Sequence, residues 1–249
     1  LFFGAAQKAM SALRTVQRGV RVVILDLRSV AAMDATGLVN LESAIDHPCQ
    51  ALADWKTLDE LGAARHGKLV LSWANHPRPL PLAVPAAVLR MAAQRGMEVV
   101  VLRPEEYALP EPLLAEARTL AAGSGGSVRE TAERDAALAG AAVLYAKSWS
   151  SAAHYGDAAK ERELRGGLAS WCVEESWFAT APDARFMHCL PVRRNVVVAD
   201  AVLDSPRSVV VRQAHNRLWA QMAVLHRLLA GESRRALPAD RTISSKEMR

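Results

Sequence analysis

Apolar positions along the chain follow two alternating periods. Gly4–Arg18 carries them three and four apart, as an amphipathic helix does, and Gly19 stops it; Val20–Leu27 is then an apolar run of strand length, interrupted by Arg21 and Asp26. Asp34 is placed to cap a helix over Ala35–Ile45. The alternation continues with a helix over His47–Leu61 closed by Gly62, a strand over Lys68–Ala74, a proline-rich loop His76–Pro81, a helix ending at Gly96 and a strand over Met97–Leu102. Further on, the spacing predicts a helix over Glu111–Ala122, a strand over Ser127–Thr131, a short helix over Glu133–Ala139 and a strand over Ala141–Lys147. Ser148–Pro182 is irregular, with short helices over Ala158–Leu164 and Trp171–Phe178, and its length suits a functional loop. Strands over Arg185–Leu190 and Ser208–Arg212 and an amphipathic helix over His215–Leu229 complete the pattern.

Short apolar strands separated by helices define an α/β fold with a parallel sheet covered on both faces, and ligands are expected beyond the carboxyl ends of the strands. The polar, Arg- and Ser-rich stretch Gly231–Arg249 reads as a disordered tail. No internal repeat is present.

Composition narrows the function. With 51% hydrophobic and 23% charged residues in 249, the chain is of ordinary globular type, and collagen-like, coiled-coil and disordered readings are excluded. No run reaches the roughly 18 to 20 apolar residues of a membrane span. Three cysteines, Cys49, Cys172 and Cys189, without CxxC spacing encode neither a disulfide framework nor a zinc site, so a reducing cytoplasm is expected. The net charge of +5 is dispersed, and only 5% of residues are aromatic, which argues against nucleic acid and leaves room for a few cations converging on a small anion. Leu1 stands where an initiator Met would, and position 1 reads as a truncated or mid-frame start.

Two resemblances then divide the chain. Residues 1–45, with the strand at Val20–Leu27 followed by "MDATGL" at 33–38, resemble part of a STAS domain, the regulatory module of sulfate-permease-type transporters and anti-sigma factor antagonists. There the family has a hydroxyl-rich turn opening a helix, whose N-terminus favours an anion; Ala35 replaces one hydroxyl and Thr36 retains the other.

From about Leu41 to Leu229 the chain resembles the N-acetylornithine branch of the aspartate and ornithine carbamoyltransferase superfamily. The residues that carry this are "HPCQALADW" at 47–55, "SWANHPRPLPLAVP" at 72–85, "YAKSW" at 145–149, "FMHCLPVRRN" at 186–195 and "QAHNRLWAQ" at 213–221. The resemblance implies a Rossmann-like amine-substrate domain over 46–230, transferring the carbamoyl group of carbamoyl phosphate to N-acetyl-L-ornithine in arginine biosynthesis, without metal or cofactor, in a cytoplasmic homotrimer.

It also implies residue roles. His47 and Gln50, three apart at a helix N-terminus, are reasonable donors to a carbonyl oxygen, and with Pro48 and Cys49 they form the segment that meets the carbamoyl group. Cys189 and Leu190 lie against the carbamoyl moiety and the incoming amine, with no thioester required. Arg217 reaches carbamoyl phosphate, Arg193 and Arg194 line the amine or carbonyl side, and a guanidinium keeps its charge at any working pH. Lys147 binds the carboxylate or acyl-amino end of the amine, and Glu42 meets the same substrate. The loop typical of free-ornithine enzymes is absent, which favours an acylated amine; acetyl and succinyl remain open. Val196, Val197 and Val198 occupy the stretch where some acetylornithine enzymes carry a modified Lys.

The superfamily's Ser-x-Arg-Thr phosphate loop is missing: Ser11, Arg14 and Thr15 have one residue too many, and Ser127–Thr131 also fails the pattern. A phosphate without that clamp forgoes charge-assisted hydrogen bonds of about 1.5 to 3 kcal/mol each. Three readings follow: an active carbamoyltransferase, an inactive remnant that binds the amino-acid derivative, and a STAS-type regulatory fusion.

Overall fold

A computed structural model describes residues 45–63 and 66–229. The predicted elements before Ile45, the STAS-like segment, Glu42 and the tail Gly231–Arg249 lie outside the described residues.

Five strands, β1 (Lys68–Trp73), β2 (Glu98–Leu102), β3 (Ser127–Thr131), β4 (Val143–Lys147) and β5 (Arg185–Met187), form one parallel sheet in the order β3-β2-β1-β4-β5. The helices are α1 (Pro48–Glu60), α2 (Ala83–Gln94), α3 (Glu111–Ser124), α4 (Arg134–Leu138), α5 (Ala158–Gly166), α6 (Asp200–Leu203) and α7 (Val210–Leu229). β1, β2 and β4 read as continuous apolar runs because both sheet faces are covered. Alternate side chains supply two cores: Leu69, Leu71, Val99, Val101 and Tyr145 pack with Leu58 of α1, Leu89 of α2 and Leu114 of α3, while Val70, Val100, Leu144 and Phe186 pack with Leu138, Trp177, Val198 and Val210. β3, an edge strand, is only partly covered and its pattern is correspondingly weak.

Gly96 illustrates how tightly the helices turn back into the sheet. Its φ of +82° belongs to the left-handed region, and a Cβ there would stand 2.6 Å from the Ser124 carbonyl oxygen.

Two predicted strands are corrected. Arg185–Leu190 pairs only as far as Met187, because the next backbone donor, His188 N–H, goes to the side-chain oxygen of Gln213 at 3.0 Å. Ser208–Arg212 is not a strand; Ser208 makes one isolated bridge to Phe186, and α7 starts at Val210. Val209, Val210, Gln213 and Asn216 are buried at helical spacing, so packing overrides the β-branched run. The helix predicted over His215–Leu229 therefore begins earlier than its pattern indicated.

Leu89, fully buried between α2 and the sheet, sets a stability test. Leu89→Ala is expected to cost about 2 to 5 kcal/mol in urea unfolding, whereas Leu52→Ala, on the exposed side of α1, is expected to stay within about 0.5 kcal/mol.

Candidate functional site

The order of the sheet reverses between β1 and β4, and the site is built around their carboxyl ends. α1 reaches it from one side. Pro48 sits at the first helical position, where its missing N–H costs nothing, and the carbonyl of His47 accepts the amides of Gln50 and Ala51 at 3.0 and 3.1 Å. The 3.6-residue period then puts His47, Gln50, Asp54 and Thr57 on one face. All four are buried, although each carries a polar group.

Their burial is made tolerable by α7. Asn216 donates to Thr57 Oγ1 at 3.0 Å and to Glu60 Oε2 at 2.8 Å. Gln213 has every hydrogen-bonding group of its amide engaged: Nε2 donates to Asp54 Oδ1 at 2.7 Å and to the Tyr145 hydroxyl at 3.0 Å, and Oε1 accepts His188 N–H. One side chain thereby ties α1, β4, the end of β5 and α7 together. Gln50 Nε2 also donates to Asp54 Oδ1, at 2.7 Å. One amide N–H is thus committed inward, and Gln50 Oε1 has no hydrogen-bond partner among the described residues. Gln50 therefore keeps a carbonyl oxygen, as well as the second N–H of its amide, to offer a ligand.

The titratable groups are pushed toward neutrality. Burial raises the Asp54 carboxyl to about 7, against the pull of hydrogen bonds from Gln50 and Gln213. Burial lowers His188 to about 3, with the Lys147 and His76 charges acting the same way. The ring is neutral, with Nδ1 accepting Leu190 N–H at 2.9 Å. Burial also pushes the Cys189 thiol up, against Lys147, so it is a protonated thiol rather than a nucleophile. Leu190 has φ +54°, a left-handed conformation that a non-glycine residue adopts at a cost of order 1–3 kcal/mol. The His188–Leu190 turn is therefore held, against the strain at Leu190, by Gln213 and by the His188 ring.

The structure brings Lys147, at the end of β4, electrostatically close to Cys189, His188 and His76. Arg217, on α7, acts on Cys49, Asp54 and Cys189. Arg193 lies outside and donates to His76 Nε2 at 3.2 Å, linking the loop after the His188 turn to the loop after β1. Arg194 is not brought to the cluster: its guanidinium is held on the surface by Asp200 and Asp204, each contact at 2.7 Å.

Two features escaped the sequence. Asp54 and Gln213 stand inside the motifs at 47–55 and 213–221, and the signal for Asp54 was its position four residues after Gln50 on the same helix face. Arg165 and Glu161 carried no comparable signal, since an i, i+4 pair on a polar helix usually faces water. Here both are buried. Arg165 donates to Glu161 Oε2 (2.8 Å), the His76 carbonyl (3.0 Å), Ser148 Oγ (2.9 Å) and the Trp149 carbonyl (2.9 Å), and stacks over Trp73 and Tyr107. Glu161 Oε1 accepts Ser151 N–H. This pair holds the loops after β1 and β4 in place.

A sheet in this order, with polar side chains gathered at its reversal point, defines a doubly wound α/β ligand-binding domain. Residues 84–228 match the family model of the aspartate/ornithine carbamoyltransferase Asp/Orn binding domain, and the chain belongs to that family. It is 40% identical over 212 residues to the N-acetylornithine carbamoyltransferase of Xanthomonas campestris pv. campestris, a match covering 84% of this chain and 62% of that protein. It is 37% identical over 190 residues to the N-succinylornithine carbamoyltransferase of Bacteroides fragilis, covering 76% and 55%. A crystal structure of acetylornithine transcarbamylase complexed with acetylcitrulline superposes with a TM-score of 0.73 at 39% identity, over 76% of this chain and 58% of that one. The chain thus spans less than two thirds of the length of these relatives.

Arg165→Met leaves Glu161 buried without its partner and is expected to cost about 3 to 5 kcal/mol in urea unfolding. A second expectation concerns pH. Asp54, raised from 3.8 to about 7, keeps a proton in the native state that the unfolded chain releases, so its contribution to stability is full below pH 3.8 and declines as pH rises to about 7. His188, lowered from 6.5 to about 3, acts oppositely, adding stability as pH rises across that span. The two offset each other in the total profile. Chemical denaturation between pH 4 and 8 is therefore expected to show Asp54→Asn gaining stability relative to the parent chain as pH rises toward about 7.

Proposed function

We propose that this chain supplies the amine-substrate half of a carbamoyltransferase that moves the carbamoyl group of carbamoyl phosphate to N-acetyl-L-ornithine, a step of arginine biosynthesis. The observation that carries the reading is the Gln213 bridge, which joins the His47–Gln50 segment of α1 to the His188–Leu190 turn in one fixed frame. The proposed domain plan is a STAS-like segment over residues 1–45, the amine-substrate domain over 46–230 and a tail over 231–249.

In the reaction the δ-nitrogen of the neutral amine attacks the carbonyl carbon, the bond from that carbon to the bridging oxygen breaks, and the proton lost from nitrogen leaves with the departing phosphate. His47 is assigned the carbonyl oxygen, where negative charge develops, and Gln50 Oε1 the carbamoyl NH2. Pro48 and Cys49 shape the wall behind them. Leu190, turned by its positive φ, offers its backbone carbonyl to the amine, and Cys189 packs beside it as a neutral thiol. Lys147 pairs with the substrate carboxylate, and Arg217 serves the phosphate side. Arg193 and Arg194 are reassigned from substrate contact to holding the loop after Leu190, through His76 and through Asp200 and Asp204. Glu42 is assigned to the acylated end of the substrate. The proposed setting is a cytoplasmic homotrimer; no described helix is long and apolar enough to cross a membrane.

Calorimetry on the full chain is expected to show N-acetyl-L-ornithine binding that Lys147→Ala removes and Arg194→Ala leaves within about fivefold, since a surface ion pair is worth at most about 1 kcal/mol. Incubation with carbamoyl phosphate and N-acetyl-L-ornithine is expected to yield N-acetylcitrulline. Absence of binding by the folded chain would refute the substrate assignment; binding without product would refute turnover by this chain alone.

A further inference from the structure

The strongest feature left unused is the carboxyl of Asp54. It is completely buried, faces none of the surface cations and uses one oxygen for two jobs: Oδ1 accepts Gln50 Nε2 and Gln213 Nε2, both at 2.7 Å, while Oδ2 has no hydrogen-bond partner among the described residues. A group that only filled space would need no such bonds, and removing this carboxyl would strand two buried N–H groups. What it does instead is orient two amides. An amide flipped at Gln50 would set its carbonyl against the Asp54 oxygen, so the ionised carboxyl, which has no proton to donate, admits only the orientation with Oε1 turned away. At Gln213 it fixes the NH2 inward, which leaves Oε1 as the acceptor for His188 N–H.

We propose that Asp54 is the positioning residue of this site: it presents Gln50 Oε1 to the carbamoyl group, suspends the His188–Leu190 turn from Gln213, and holds both more firmly when its carboxyl is ionised than when it is protonated. The inference rests on the reading of that turn as a substrate-binding element. Its physical basis is that N–H bonds to a carboxylate are shorter and about twice as strong as those to a neutral acid.

Other charges around Asp54 are few. Tyr145 of β4 lies against it and burial keeps its phenol protonated; Cys189 is likewise held as a thiol; Arg217 of α7 favours the ionised form. On α1 itself, His47 shares its side of the helix, and the Cys49 thiol, on another face, is raised by burial. The arginines that α2 turns toward α1 are occupied, Arg90 by Glu116 and Asp46 and Arg95 by Asp59. The Asp54 carboxyl, raised by burial to about 7, is thus poised to change its charge across neutral pH, while burial lowers His76 at the Lys147 side.

The test uses the full chain, Asp54→Asn and Asp54→Ala. Asn keeps one oxygen able to accept both N–H groups and cannot ionise. Nitrogen-15 NMR from pH 5.5 to 8.5 is expected to show the side-chain NH2 of Gln50 and Gln213 and the His188 amide titrating together with a midpoint near 7 in the parent chain and losing that transition in Asp54→Asn; any contribution from His76 persists in the variant. N-acetyl-L-ornithine affinity, by calorimetry at pH 8, is expected to fall about tenfold or more in Asp54→Ala, the scale of one charge-assisted hydrogen bond, and to recover to within about threefold in Asp54→Asn. Shifts that do not move, or that move identically in Asp54→Asn, overturn the proposal, as does undiminished affinity in a folded Asp54→Ala. If the Ala variant does not fold, the Asn titration decides alone. If the parent chain binds no N-acetyl-L-ornithine, the substrate reading fails while the NMR titration still judges Asp54.

Discussion

A polar group taken out of water must find a partner inside the protein or cost the fold about 1 to 3 kcal/mol, and at the carboxyl edge of this sheet the partner is repeatedly Gln213. Its amide has two donor hydrogens and one carbonyl, and each is aimed at a different element: α1 through Asp54, β4 through Tyr145, and the residue after β5 through His188. No apolar side chain could substitute, because packing alone does not stop a strand at Met187 and redirect its next N–H. The early start of α7 follows from the same demand. Helical φ/ψ from Val210 onward places Gln213 and Asn216 one turn apart on the face that meets Asp54 and Thr57.

At the loops after β1 and β4 the same problem is solved with charge. Arg165 satisfies carbonyls and a hydroxyl in both loops, after β1 and after β4, and Glu161 neutralises it while accepting from Ser151. A guanidinium suits this place because its planar fork serves several acceptors at once and its charge sits 5.3 Å from the ring centres of both Trp73 and Tyr107. Gln213 and Arg165 therefore clamp neighbouring loops, and Lys147 ends β4 with its backbone carbonyl accepting Ala74 N–H at 3.1 Å.

The parts of this design that the sequence disclosed are those governed by period and punctuation. α1 was legible from Pro48 and Gly62, and β1, β2 and β4 from apolar runs, because nothing in their surroundings competes with those local rules. β5 and the start of α7 were not, since the run Phe186–Leu190 and the valines at 209–211 describe strand-like stretches until Gln213 claims the His188 amide. For the site, the motifs located His47, Gln50, Lys147, Cys189 and Leu190 in the right neighbourhood, but a motif gives no direction to a side chain. The donor end of Gln50 faces Asp54, and Arg194 faces Asp200 and Asp204; neither fact has a counterpart in residue order. Arg165 was invisible for a different reason. A polar helix with a salt bridge at i, i+4 looks solvated until a long loop folds over it.

These arrangements also set the sign of the site. Burial takes the charge from His188, Cys189 and Tyr145, and biases Asp54 the same way, at or below neutral pH. With those groups neutral, Lys147 and Arg217 are the basic side chains that act on the buried cluster at the strand ends. Such a region favours anions, and both reactants of the proposed transfer are anions: one through its phosphate, the other through its carboxylate. Ionising Asp54 would return one negative charge, yet at a point behind Gln50 and Gln213 where it meets N–H groups rather than ligand. The carboxyl can then stiffen the frame while the cations keep their attraction, a division of labour that depends on its being one helical turn deeper than Gln50.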